Sequence, residues 1–493
     1  MTEPPDDFEV ARAAVRAEMG GTDKVRALAA AGRRTARGFV DAFFDDGSFV
    51  ELGTFAAMAA GAPTTAAGDG RVTGHAMLDG APVGVIVDDI TVKRASSTAL
   101  NARKAERVVR LAQRSGMPVL VVGEAGGARL PETLHGEVFA SEPIYPWLFD
   151  ADRPPLVTAI VGDSYGGSSF IATLADVCVM KKGSVLAITS PRVVSMATGE
   201  DVTAEALGGA DVLATKTDLI DVVVDSDAEL DRVLRHALGM FTRLRLDGAR
   251  RPDVDVRALV PTDHSKVYDV RGVVEAVVDV DSFLELGALR GRSVVTGLGR
   301  VDGRVVGIVA SQPRHEAGAL SPAACEKATR LTRLCDRFGF PIVCLVDTPG
   351  FQIGVHVEYS GMLRRAMELI AVNTSARVPV VTVVLRKAYG LAFFAMFSPD
   401  HGGDVVVAWP DARIGFMDPT TAANVLYGDE YADASPIERR ERLAERAQEL
   451  GASSSARDVA AAMGIDEIIH ERETVSAIRR ALAVLAPAPP SAS

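Results

Sequence analysis

The stretch RVTGHAMLDGAPVGVIVDD, residues 71–89, returns 223 residues later as VVTGLGRVDGRVVGIVASQ, residues 294–312. Val72-Thr73-Gly74 becomes Val295-Thr296-Gly297, Asp79-Gly80 becomes Asp302-Gly303, and Val83-Gly84 becomes Val306-Gly307. Each copy reads as a hairpin. A strand with alternating apolar positions meets an Asp-Gly turn, and a more continuously apolar strand follows. The same offset carries Lys104-Ala105 onto Lys327-Ala328, Gly116 onto Gly339, Pro118 onto Pro341, Glu124 onto Asp347 and Gly127 onto Gly350. It becomes 224 for Pro155, Thr158, Tyr165 and Gly166 against Pro379, Thr382, Tyr389 and Gly390. Upstream, Phe49–Gly53 matches Phe283–Gly287 at 234. So many gapless matches mark a duplicated domain.

After the first hairpin the pattern predicts a helix over Ala99–Ser115 and a buried strand over Met117–Val122 that ends in a glycine-rich turn. A second strand over Leu156–Val161 ends at Tyr165-Gly166-Gly167, followed by a helix over Ser168–Ala175. Continuous β-branched strands alternating with helices argue for a parallel α/β core. Length alone would suggest roughly three domains at ~150 residues each. The repeat replaces that with two, residues 1–250 and 251–493, parted where Gly and Pro break the periodicity between Asp247 and His264. The end of the chain, APAPPSAS, reads as a disordered tail from about residue 486.

Composition is globular, 48% apolar and 24% charged, and the net charge of −12 argues against general attraction to nucleic acid or anionic lipid. Cys178, Cys325, Cys335 and Cys344 are too sparse for a disulfide framework or a zinc ribbon. The opening MTEPPDDFEV lacks signal-peptide order, and no apolar run reaches the ~18 residues of a membrane span, so a soluble, cytoplasmic chain is expected. The histidines show no metal-ligand spacing, and no metal is expected.

The candidate chemistry lies where strands end. Glu124-Ala-Gly-Gly-Ala-Arg129 is matched by Asp347-Thr-Pro-Gly-Phe351, and Tyr165-Gly-Gly-Ser-Ser169 by Tyr389-Gly-Leu-Ala-Phe393. Glycine turns at such places leave backbone N–H groups open to an oxyanion, though they equally serve close strand–helix packing. Glu124 and Asp347 are read as anchors of their turns rather than as acid–base groups. Gly162-Asp-Ser-Tyr-Gly166 fits the nucleophile elbow of serine hydrolases, but the counterpart of Ser164 is Ala388 and no triad partner is evident. Arg103, Lys104, Arg107, Arg110 and Arg114 form a helical stripe, echoed by Lys327, Arg330 and Arg333. Such a stripe could hold the phosphates of a nucleotide-like handle, or could be only a solvated face.

Gly126-Gly-Ala-Arg129, Ala197-Thr-Gly-Glu-Asp-Val202, Leu207-Gly-Gly-Ala210, Val346-Asp-Thr-Pro-Gly-Phe351, Arg364-Arg365, Arg386-Lys-Ala-Tyr-Gly390 and Ala408-Trp-Pro410, in this order, give a resemblance that runs from about Gly32 to Leu482. The chain resembles the carboxyltransferase (β) subunits of biotin-dependent acyl-CoA carboxylases, of the acetyl- and propionyl-CoA carboxylase type. The resemblance implies an α/β fold made by tandem duplication of a crotonase-like (ClpP-like) superhelical β-β-α domain. It implies transfer of CO₂ from carboxybiotin, held on a separate carrier protein, to the carbon α to the thioester of a short acyl-CoA through an enolate. No metal takes part, and the biotin ureido group helps remove the proton.

Carried over by motif, Gly126 and Gly127 would hold the thioester oxygen, and Leu391 and Ala392 the ureido oxygen. Ala128, Arg129, Gly166, Gly167, Arg103, Lys104 and Lys327 would bind the CoA substrate. Tyr389, Gly390, Phe394, Pro349 and Gly350 would line the biotin and acyl pocket. The implied partners are a biotin carboxylase and carrier (α) subunit and further copies of the chain in a homo-hexamer with sites shared across subunits. The chain departs from the family pattern at Leu391, where a second Gly is usual, and at Phe394, where propionyl-type relatives carry an acid. Two other readings stay open: a biotin-independent acyl-CoA decarboxylase or thioester hydrolase on the same scaffold, and an inactive scaffolding or regulatory subunit.

Overall fold

The computed structural model describes residues 7–58, 63–137, 145–242 and 254–486. The expected boundary at 250/251 and the tail beyond 486 lie outside them. The chain divides into two compact units, Met1–Leu244 and Arg245–Ser493. Each unit is built on one sheet.

In the first unit the strands are β1 (Val50–Glu51), β2 (Arg71–Leu78), β3 (Ala81–Asp88), β4 (Val119–Gly126), β5 (Leu156–Tyr165), β6 (Val177–Lys181), β7 (Val185–Ala187) and β8 (Val222–Val224). Their order is β1-β2-β3-β4-β5-β6-β8, with β7 paired to β5. β2 and β3 form the hairpin, Val72 opposite Val87, and Asp79 takes the positive φ of 51° that its turn requires. From β3 onward neighbours run parallel.

The second unit repeats this with β9 (Leu284–Glu285), β10 (Val294–Val301), β11 (Arg304–Ser311), β12 (Ile342–Thr348), β13 (Val380–Tyr389), β14 (Val405–Ala408), β15 (Arg413–Gly415) and β16 (Glu467–Ile468). Here the order is β9-β10-β11-β12-β13-β14-β16, with β15 paired to β13. Even the irregularities recur: the register shifts between Gly123 and Ala125 in β4, and between Val346 and Thr348 in β12.

The helix over Ala99–Ser115 forms as its sequence predicts. Thr98 and Asn101 make a capping box, and Gly116 closes the helix at φ 69°. Ala102, Ala105, Val108, Val109 and Ala112 face the sheet, among Ile86, Leu156, Ile160 and Met180. Its counterpart Pro322–Phe338 is capped by Ser321 and ended by Gly339 at φ 71°. The second core gathers Val295, Ile308, Val343, Leu345, Val383 and Trp409.

Two strands run further than the apolar pattern indicates. β4 starts after Pro118, which has no N–H to donate, and continues through Glu124–Gly126. β5 extends to Tyr165 because its lower part pairs with β6 while Asp163–Tyr165 pair with β7. β13 forks in the same way between β14 and β15. Each fork changes the strand's outer neighbour, while its end stays paired with β4 or β12, and a glycine turn follows it. The following helix spans Gly167–Thr173, shorter than the expected Ser168–Ala175. Among the described residues no helix is long and apolar enough to cross a membrane.

Candidate active site

In the first unit the two glycine turns meet. Beyond β4, Gly127 takes φ 93° and its carbonyl accepts from Ser97 N–H at 2.8 Å, while Arg129 N–H donates to Ser97 O at 3.3 Å. This parallel bridge fixes the Gly126–Ala128 backbone. Gly166, at φ 67°, lies so close that a Cβ there would sit 3.4 Å from Gly127 Cα. A Cβ on Gly167 would come within 2.8 Å of both Ser97 Oγ and Tyr145 OH, so only glycine fits. Gly167 opens a helix, where an N–H has no intrahelical acceptor. Among the described residues, no backbone carbonyl accepts from Gly127 or Ala128 N–H. Three amides of one small region are thus free to donate to a negative oxygen.

The second unit builds the same turn from different residues. Leu320 N–H donates to Gly350 O at 2.9 Å and Gln352 N–H to Leu320 O at 3.0 Å. Gly350 takes φ 134°, and a Cβ on it would lie 3.8 Å from Tyr389 O, so Pro349–Gly350 and Tyr389–Gly390 adjoin. Gly390, at φ 62°, donates to Gly415 O at 2.9 Å and leads into Leu391–Ala395. Leu391 and Phe394 are exposed, and Ala392 is buried. The Phe394 ring stacks on His401 at 4.8 Å between centroids. Tyr389 is buried, and burial together with nearby Asp418 pushes its hydroxyl up to about 12, so it stays protonated at neutral pH.

The two strand-end acids are held apart from chemistry. Asp347 is wholly buried and accepts from Arg386 Nε at 2.7 Å; Arg386 Nη1 also donates to Asp263 O and Lys266 O, at 3.1 and 2.9 Å. Glu124 pairs with Arg33, and burial raises its carboxyl from the usual value. Glu124 and Arg33 line a cavity of about 490 Å³ that also touches Gly126.

Three of the expected CoA-binding cations require correction. Lys104 is buried and its ammonium donates to Gly68 O at 2.8 Å and to Arg71 O. Lys327, its counterpart, is buried and donates to Gly287 O at 3.1 Å. Both clamp the loop that precedes their hairpin, as a strand-facing position on a helix dictates. Arg129 is buried too, binding Asp69, Ser96 Oγ at 3.0 Å and Ser96 O at 3.0 Å. It braces the first turn from behind. Arg103 stays exposed with Arg107, Arg110 and Arg114.

Ser164 is completely buried, and its Oγ faces the backbone of Gly123 rather than a cavity. Strand alternation explains this: Asp163 lines the 490 Å³ cavity, so Ser164 points to the other side. The hydrolase reading therefore lacks a reachable nucleophile. Among the described residues no group of His, Cys, Asp or Glu is placed to hold a metal. Motif spacing does not point to Ser97, Tyr145, Arg33 or Arg94. Only the repeat offers a signal for Ser97, which falls opposite Leu320, immediately before the matched caps Thr98 and Ser321.

Comparison with known proteins agrees with this geometry. The carboxyl transferase domain family matches residues 28–491. The chain is 32% identical over 489 residues to the methylmalonyl-CoA decarboxylase subunit alpha of Veillonella parvula, covering 95% of this chain and 93% of that one. It is 35% identical over 490 residues to the propionyl-CoA carboxylase beta chain of Saccharopolyspora erythraea, covering 93% and 88%. The solved transcarboxylase 12S structure, a hexamer with methylmalonyl-coenzyme A bound, superposes with a TM-score of 0.87 at 31% identity, over 100% of this chain and 99% of that one. With a full-length match and a duplicated crotonase-like fold, the chain belongs to the carboxyl transferase family.

Proposed function

We propose that this protein is the carboxyltransferase component of a biotin-dependent acyl-CoA carboxylase, acting on acetyl-CoA or propionyl-CoA. The observation that carries the reading is the pair of equivalent glycine turns, one per unit, each presenting backbone amides on a strand-end fork. Removing a proton from the carbon α to a thioester moves negative charge onto the thioester oxygen. The amides of Gly127, Ala128 and Gly167 hold that charge, and the new C–C bond forms as it returns to carbon. The amides of Leu391 and Ala392 serve the second oxygen, on the CO₂ donor. A carboxylated biotin beside Leu391 and Ala392 would supply the CO₂ unit by breaking its N–CO₂ bond, and the ureido nitrogen so freed would accept the α-proton.

The second turn fits that group. Gly350 and Gly390 keep its backbone clear of side chains, and the exposed Leu391 and Phe394 give an apolar wall for a flat bicyclic ring. Leu391 keeps its N–H despite its side chain. This chemistry needs no protein general base, in keeping with Asp347 and Glu124 both being tied up in ion pairs. By the same family relation we assign it a biotin carboxylase and carrier partner and a homo-hexameric assembly.

The test mixes the protein with a biotin carboxylase and carrier subunit, ATP, labelled bicarbonate and a panel of acyl-CoAs. Incorporation into a short acyl-CoA is expected. Binding of CoA thioesters without carboxylation of any of them would overturn the proposal. Loss of CO₂ from malonyl- or methylmalonyl-CoA without a carrier would replace it with the decarboxylase.

A further inference from the structure

The cavity beside the first glycine turn has a chemistry of its own. Arg33, Arg94, Lys181 and Lys182 line it against only two carboxylates, Glu124 and Asp163. Three of these cations have partners: Arg33 pairs with Glu124, Lys181 with Asp227 at 2.5 Å, and Lys182 with Asp225 at 2.8 Å. Arg94 is exposed, and no carboxylate among the described residues forms an ion pair with it. Its backbone is also costly. Lys93, Arg94 and Ala95 take φ values of 49°, 54° and 51°, a left-handed run that non-glycine residues adopt at about 1–2 kcal/mol each. The repeat shows that arginine is not needed to build this turn, since Ala317 stands in its place with φ 53° and glycine follows at 318. The strained position puts the Arg94 side chain over Gly126, where a Cβ would lie 3.2 Å from Arg94 Cβ and 3.5 Å from Nε. Strain of this kind persists where the surroundings overdetermine it, and it clusters at ligand sites.

We infer that Arg94, with Lys182 at the far side of the cavity, binds the phosphate groups of the substrate's nucleotide handle, and that Arg94 is a positioning residue for the thioester at Gly126–Ala128. The inference rests on the acyl-CoA reading and replaces Lys104 and Lys327 as the phosphate-binding cations. An arginine with its donors unspent meets a phosphate in a fork, and a lysine completes the charge. The cavity opens at Gly183, where no atom lies within 4 Å of a Cβ position, so the handle has an entrance beside Lys182.

The test uses adenosine 3′,5′-bisphosphate, which carries the handle's 3′-phosphate and inner 5′-phosphate without pantetheine or acyl group, in calorimetric titration of the full chain. Arg94→Gly is expected to weaken its binding about tenfold or more, the range of a lost charge-assisted bond. Lys182→Ala is expected to weaken it less. Because Arg94→Gly relieves a left-handed arginine, Tm holds or rises, which a merely structural role would not produce alongside lost affinity. KM for acyl-CoA should rise, and KM for the matching acyl-pantetheine should not. Unchanged bisphosphate affinity in both variants, or equal KM losses on acyl-CoA and acyl-pantetheine, would overturn the inference. If the bisphosphate binds as expected while no thioester is carboxylated, the proposed reaction fails and the anion site stands.

Discussion

The two halves share a backbone and differ in what covers it. Around the first glycine turn the wall is polar: Gly167, Ser168 and Ser169, with Ser168 Oγ donating to Asp88 at 2.7 Å, and a basic cavity alongside. Around the second it is apolar, with Leu391, Ala392 and Phe393 in the matching places, while the next position is phenylalanine in both, Phe170 and Phe394. The strand-end acids diverge in parallel. Glu124 sits at a cavity with its side chain 15% exposed, whereas Asp347 is sealed under Arg386. What both copies retain is the backbone path of the turns, although Gly350 N–H donates to Thr348 Oγ1 at 3.2 Å where Gly127 N–H is free among the described residues; what separates them is the kind of molecule each can receive beside it. A duplicated domain can specialise in this way because backbone N–H groups do not depend on side-chain identity.

The sharpest way to break the comparison is to treat the two acids alike. Arg386→Met leaves Asp347 buried without its partner and frees the loop at Asp263–Lys266. The expected cost is about 3–5 kcal/mol. Arg33→Met removes the counterpart partner from Glu124 at a pair whose arginine is 39% exposed, so a smaller loss, about 1 kcal/mol, is expected. Urea unfolding of both variants checks this. Equal losses would show that the acids are equally structural.

Next in size is Gly167→Ala. Its Cβ cannot be accommodated by moving Tyr145, whose hydroxyl accepts from Arg71 Nη1 at 3.3 Å, while Arg71 is itself held by Asp88 at 2.8 Å. The turn must shift, and an oxyanion donor displaced by ~1 Å costs about 10²-fold in rate. Steady-state carboxylation with the carrier system reads this directly. Full activity in Gly167→Ala would remove the first turn from the mechanism.

How far these features could be read from the amino acids follows the same divide between backbone and side chain. The hairpins, the long helices and the glycine turns were legible, because alternation, capping residues and glycine spacing are local and the repeat printed them twice. The forks of β5 and β13 were not, since they depend on pairing with β7 and β15, short strands with no pattern of their own. Lys104 and Lys327 misled for a related reason. In the sequence they continue a basic stripe, but their positions face the sheet, and long stems let their charges reach carbonyls inside. Arg94 was invisible because nothing in its neighbours announces a left-handed backbone.

The two lysines supply the third prediction, in which the halves should agree. Burial pushes both ammonium groups down to about 8, from the usual 10.5. Below pH 8 folded and unfolded chains both hold the protons, and the folded state bears the full desolvation cost. Between pH 8 and 10.5 the unfolded chain binds more protons, so stability rises with pH, by at most about 1.4 kcal/mol per unit for each lysine. Lys104→Met and Lys327→Met should each flatten that rise, measured as urea midpoints from pH 7 to 10. A slope lost in one variant and kept in the other would show that the two clamps are not equivalent.

The smallest effect is expected at Leu391→Gly, which makes the second turn match the first. Leu391 is 41% exposed, so its side chain adds little to stability, and glycine at the start of a helix costs at most about 0.5–1 kcal/mol. The amide that serves the oxyanion is present in both residues. Carboxylation rate should therefore stay within about threefold, since no donor is lost. What should move is KM for the carboxylated carrier, because Leu391 and Phe394 together form the exposed apolar wall beside the turn. Carrier titrations at saturating acyl-CoA, run on wild type and variant, separate these effects. A rate loss approaching 10²-fold would mean that the leucine side chain, and not the backbone it sits on, does the work of the second turn. The likeness between the halves would then be one of shape alone.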